Sequence, residues 1–196
     1  LLREIILSKA YQRSSQLPEG VAAADVPEDR FRIALPRPLS PEQLAWSLMI
    51  ATGNHRRMLE GKVPAEEPFD AYNYINGRVQ RLPATVGETM ELFGWMVGNP
   101  PGEDPDDYNP AMGHALFLMN ERLVLDWLKP RDGSLLGRLV AIDRNPAAVE
   151  QLYLQVLSRR PTAGESKSAT AFLDKHAESR PTALADLAWS LLASAE

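Results

Sequence analysis

The sequence predicts an all-α domain spanning residues 1–196, an irregular bundle of about seven or eight helices around a central apolar helix at residues 110–128. Three observations lead there. Apolar residues recur three and four apart through most of the chain, the period that gives a helix one buried face. Capping boxes stand at Ser40 to Gln43, Thr85 to Glu88 and Thr162 to Glu165, where the paired side chains satisfy backbone N–H groups that a first helical turn leaves free. Proline follows Ser40, Asn145 and Arg180 directly, in a first-turn position where its missing N–H costs nothing.

Leu1, Leu2, Ile5 and Ile6 predict a helix from residue 1 to about 13, closed by Ser14-Ser15 and Pro18-Glu19-Gly20. From there to Arg37 the chain lacks periodicity and reads as an extended connection. The helix opened by Ser40-Pro41 closes at Gly53 or Asn54. Prolines interrupt residues 61–83, where Asn76-Gly77 between alternating residues signals a small β-hairpin near residues 72–81, with irregular structure as the alternative. Thr85 opens a helix through Met90, Phe93 and Met96 or Val97.

Between residues 110 and 128, Met112, Leu116, Met119, Leu123 and Trp127 form one apolar stripe and Phe117, Val124 and Leu128 a second, as expected of a helix packed on several sides. Its polar strips pair His114 with Glu121, and Arg122 with Asp126 four places on. A short helix follows from Ser134 to Ile142. Asn145, as cap, and Pro146 open a helix with Val149, Leu152 and Tyr153 inward, Thr162 opens one carrying Ala169, Phe172 and Leu173, and Pro181 starts the last. Trp46, Phe93, Trp95, Phe117, Trp127 and Trp189 fall at helical spacing and are assigned to the core. Leu-Ala-Trp-Ser-Leu occurs at 44–48 and again at 187–191, which reads as two helices meeting similar packing demands rather than as a repeat.

The formal charge of −5 argues against a nucleic-acid partner, since phosphate binding needs a basic face, and acidic substrates are disfavoured on the same ground. No apolar run approaches the roughly 18 residues of a membrane span. The absence of cysteine excludes disulfides, thiolate metal sites and covalent haem attachment within these residues. A chain that begins at Leu1 inside a helical pattern reads as a piece of a longer protein.

Four segments carry a family resemblance. They are Leu2-Arg-Glu-Ile-Ile-Leu-Ser-Lys-Ala-Tyr-Gln-Arg-Ser-Ser15, the Leu39-Ser-Pro-Glu-Gln-Leu44 helix ending at Gly53, Gly113-His-Ala-Leu-Phe-Leu-Met-Asn120, and Leu152 to Glu165 with Leu187-Ala-Trp-Ser-Leu-Leu192. In order and spacing they resemble the planctomycete-type, cytochrome-c-associated domain of unknown function, the PSD family. The chain departs from that pattern at Ala45-Trp46, where many relatives have an Arg-Asp pair, and at His114, which replaces a glutamine. The resemblance implies the C-terminal region of a large exported protein, in the periplasm, cell envelope or medium, with haem, where there is any, held elsewhere in the parent chain. It also implies that the partners are other domains of that chain or envelope proteins. It transfers no catalytic residue.

The chemistry-bearing residues are sparse. His55, His114 and His176 form no two-ligand helix face, so no metal site is expected of them. Glu103, Asp104, Asp106 and Asp107 are candidate Ca²⁺ ligands, but their spacing does not follow the known twelve-residue loop. The alternative is that Asn109 caps the central helix, with Asp106 and Asp107 facing the positive end of its dipole. His114, Glu121 and Glu103 are the candidate catalytic groups, and nucleophile elbows and phosphate loops are absent from the sequence. The expected function is therefore a non-catalytic accessory or interaction domain without a cofactor of its own. A hydrolase or carbohydrate-processing module using acidic residues near His114 is the alternative.

Overall fold

The computed structural model describes residues 2–12, 20–21, 26, 39–64, 68–97 and 121–194. The chain divides into two compact units, Leu1–Pro38 and Leu39–Glu196. The described regular structure is all helical, as the periodicity predicts, with no strand among the described residues.

In the first unit, α1 spans Leu2–Ile6, well short of the predicted end near residue 13. The Ser8 hydroxyl accepts the Tyr11 N–H at 3.2 Å, and the chain passes through turns to Gln12. A serine hydroxyl offers the backbone an alternative to the helical ladder, and here the alternative wins.

The second unit contains α2 (Pro41–Thr52), α3 (Asn54–Leu59), α4 (Ala71–Ile75), α5 (Val86–Val97), α6 (Arg122–Trp127), α7 (Leu135–Val140), α8 (Asn145–Leu157), α9 (Ala163–Lys175) and α10 (Arg180–Leu192). All three capping boxes form. The hydroxyls of Ser40, Thr85 and Thr162 accept N–H groups three residues on at 3.2, 3.2 and 3.3 Å. Gln43, Glu88 and Glu165 reach back to the cap N–H groups at 3.0, 3.4 and 2.7 Å. Gly53 closes α2 with φ +79 and starts α3 in the same step.

Three expectations are corrected. No hairpin forms near residues 72–81, because the Asp70 carboxylate accepts the Asn73 N–H at 2.8 Å and caps α4 across that stretch. Gly77 does take the positive φ that Asn-Gly foretold (+69), but uses it to leave a helix. The helix predicted over 110–128 does not run unbroken. Glu121 is extended (φ −69, ψ 127) and its carboxylate accepts the Leu123 N–H, so α6 begins afresh at Arg122; residues 110–120 lie outside the described residues. Asn145 is no cap either. It is the first helical residue of α8, and its amide bridges Asp174 on α9 (2.7 Å) and Arg180 on α10 (2.8 Å).

The second unit has two apolar clusters. Phe93, Met49, Leu92, Leu123 and Trp127 centre the first, built on α2 to α6. Leu136, Leu139, Leu152, Leu173 and Leu184 centre the second, built on α7 to α10. Ala45 and Ala188, equivalent positions of the duplicated pentapeptide, are each fully buried, one in each cluster. Shared packing is what the pentapeptide encodes. The core assignment holds for Phe93 and Trp127 and fails for Trp46 and Trp95, which are 39% and 57% exposed. Trp46 lies against the His55 ring and Trp95 beside Tyr72, with centroids 5.1 and 6.0 Å apart, so each finds an aromatic neighbour at the surface instead. Phe117 lies outside the described residues.

Candidate functional site

The close approach of one loop to one short helix creates the site. A Cβ on Gly53 would stand 2.7 Å from the Gly133 carbonyl oxygen, and one on Gly137 would stand 2.1 Å from that of Arg131. Glycine at 53 lets the 131–134 loop press against the start of α3, and glycine at 137 lets α7 pack against that loop. Gly133, itself at the positive φ of +76 that favours glycine, lies against the Arg57 stem.

Arg57 is buried, 8% exposed, on α3. A relay of hydrogen bonds fixes it: the Thr52 hydroxyl donates to the Leu48 carbonyl at 2.7 Å, Asn54 Nδ2 donates to the Thr52 hydroxyl at 3.0 Å, and Arg57 Nη1 donates to Asn54 Oδ1 at 2.7 Å. Its buried Nε has no partner, and among the described residues it forms no ion pair. Burial, and next the charge of Arg131, push its pKa below the usual guanidinium value, against the opposing pull of the Asp126 and Asp132 carboxylates, neither of which it contacts.

Arg57 opens on a cleft of about 400 Å³. Arg81 and Arg131 also line it, with Asn54 and Asp126. Each of these two arginines already holds a carboxylate in a two-pronged grip. Arg131 donates to Asp126 at 2.6 and 2.7 Å, with Lys129 adding a bond of 2.8 Å, and Arg81 donates to Glu88 at 2.8 and 3.1 Å. Burial raises the Asp126 and Glu88 carboxyls, but the hydrogen bonds from Arg131 and Lys129, and from Arg81 and the Ala84 N–H, outweigh it and hold both below the ordinary range. Val63 and Leu82 supply apolar wall, with the buried Leu123 and Trp127 behind it. The polar lining is therefore rich in donors, and its one carboxylate is already engaged. Such an arrangement is suited to an oxyanion, and among the described lining residues no carboxylate is left free as a proton acceptor.

Residues 1–173 of the chain, which include every residue of this cleft, match the model of the family described as PSD1, protein of unknown function (DUF1553). The chain belongs to that family. No curated protein and no solved structure matches it. In this PSD1 chain no helix among the described residues is long and apolar enough to cross a membrane.

Of the sequence-predicted site residues, only Glu121 is described; His114, Glu103, Asp104, Asp106 and Asp107 lie outside the described residues. Glu121 caps α6 and accepts the Tyr74 hydroxyl at 2.5 Å. Asp126 turns away from its predicted partner: Arg122 donates to Gln80 Oε1 at 2.7 Å, while Arg131 takes the carboxylate with both prongs. His176 Nδ1 lies 2.8 Å from the Phe172 carbonyl, at the end of α9. Among the described residues, no three His, Asp or Glu side chains gather as a metal site would require.

Sequence reasoning missed Arg57, Arg81 and Arg131. His55-Arg56-Arg57 looks like one solvated face, and nothing local separates Arg57 from Arg56, which pairs with Glu60 at the surface. The available signal was indirect: a glycine closing α2, then an asparagine and an arginine three apart, and a second glycine-rich turn downstream.

Proposed function

We propose that this chain is a non-catalytic binding domain that holds an anionic group in the cleft at Arg57, as an accessory part of a larger extracytoplasmic, cytochrome-linked protein. The observation that carries the reading is a buried guanidinium with no carboxylate in contact among the described residues, at the wall of a cavity whose other polar groups are mainly donors. A buried charge left without a partner is costly, so the site gains by taking up a negative ligand. The net charge of −5 spreads over the whole chain and does not set the local sign. The extracytoplasmic, cytochrome-linked setting is supported by the four sequence blocks, and a Cys-x-x-Cys-His segment upstream in the parent chain would bear on it directly.

The test is thermal unfolding at equal ionic strength in chloride, acetate and sulfate. The chain should melt higher in at least one oxyanion than in chloride, by mass action on the folded state. Arg57→Met should erase the difference. Identical melting of the native chain in all three salts would sink the reading.

A further inference from the structure

We infer that the cleft takes a small monoanionic organic acid, its carboxylate on Arg57 and its apolar body against Val63 and Leu82. The inference rests on the binding reading above and specifies its ligand. Charge selects the class. Arg81 is held by Glu88, and Arg131 by Asp126, which it shares with the exposed Lys129; Arg57 is left as the lining cation without a contacting carboxylate among the described residues. A lining cation with no carboxylate in contact calls for a negatively charged ligand, and a single carboxylate supplies it.

Shape agrees with charge. A planar guanidinium matches the two oxygens of a carboxylate, whereas a compact inorganic oxyanion makes no use of the apolar wall formed by Val63 and Leu82. The cavity of about 400 Å³ lies at the small end of ligand pockets, the size for a metabolite rather than a chain segment. Rigidity completes the case. Arg57 is held through Asn54 and Thr52, so little ordering remains to be done on binding.

The experiment is calorimetric titration of the full chain with phenylacetate, its neutral amide phenylacetamide, sulfate, inorganic phosphate, and a short peptide ending in phenylalanine, all at one ionic strength. Phenylacetate should bind saturably, and the amide at least about tenfold more weakly, the equivalent of one charge-assisted contact. Arg57→Met should lose phenylacetate binding, and Arg57→Lys should recover it only in part. Should Arg57→Met fail to fold, the acid-against-amide comparison on the native chain decides alone.

Sulfate or phosphate binding more tightly than phenylacetate would overturn the monoanionic acid and leave the anion-binding reading standing. The peptide binding more tightly would replace the small molecule with a protein partner. Failure of every anion would remove both readings. Glu66 and Glu67 follow Pro64 closely in sequence, so the Glu66→Gln, Glu67→Gln double variant is titrated as well. Phenylacetate binding in that variant alone would mean that the chain supplies its own anion, and would overturn the proposal.

Discussion

Tyr74 and Glu121 join α4 to the start of α6 through one hydrogen bond between partly buried groups. Burial, and then the Glu121 hydrogen bond, raise the phenol above its ordinary value near 10. The neutral phenol is thus favoured in the folded chain. Its contribution is complete below pH 10 and is lost as the pH rises beyond it. Tyr74→Phe should cost about 1.5 to 3 kcal/mol at neutral pH, the range for bonds to charged acceptors. It should also flatten the alkaline loss of stability, which urea titration at pH 8, 10 and 11 would reveal. Glu165 works at the acid end. Two-pronged pairing with Arg159, followed by hydrogen bonds from Thr162, lowers its carboxyl from 4.5 to about 2. That stability is present above pH 4.5 and disappears as the pH falls toward 2. Glu165→Gln should therefore unfold with a weaker pH dependence in this window than the native chain, as circular dichroism during acid titration would report.

At the scale of elements, three glycines make opposed predictions. Gly53→Ala must hold φ +79 with a methyl group 2.7 Å from a backbone oxygen, so it should destabilise by at least the 1 to 3 kcal/mol typical of a strained residue. Gly94 sits inside α5 with open space where its Cβ would be, and Gly94→Ala should stabilise by about 0.4 to 1 kcal/mol. Gly137→Ala, clashing with the Arg131 carbonyl, should fall on the side of Gly53→Ala; denaturant midpoints for the three variants check the order. These elements also mark the limit of what sequence conveys. Capping boxes at Ser40, Thr85 and Thr162 depend on residues three apart and were legible in full. Glycine signalled positive φ at 53 and 77, yet could not say whether a helix or a strand would meet the turn. Asp70, three residues before Asn73, decided that at Gly77 by capping α4. The cleft was illegible for the same reason of range: Arg57 and Arg131 become neighbours only because a loop far along the chain lands on Gly53.

For the unit Leu39–Glu196 as a whole, the two apolar clusters raise the question of whether they melt together. Trp127 belongs to one and Leu128, the next residue, to the other. Leu192 packs on both, and α2, whose buried face serves the first cluster, also touches α7 and α8 of the second. A cavity in either cluster therefore weakens packing that the other shares. Leu92→Ala and Leu184→Ala each remove a fully buried side chain, and each should cost about 2 to 5 kcal/mol. Both variants should move one common transition, with tryptophan fluorescence and far-ultraviolet circular dichroism superimposed in denaturant. If the clusters were independent, Leu184→Ala would produce an early step in helical signal while the environment of buried Trp127 stayed native. Hydrogen exchange would localise such a step: protection lost over 135–192 and retained over 41–97 would mean two folding units, whereas a uniform drop confirms one. The junction at Trp127 also lies behind the wall of the cleft, so cooperativity has a consequence for binding. A ligand held at Arg57 should raise the stability of α9 and α10 as much as that of α3, even though neither distant helix lines the cavity.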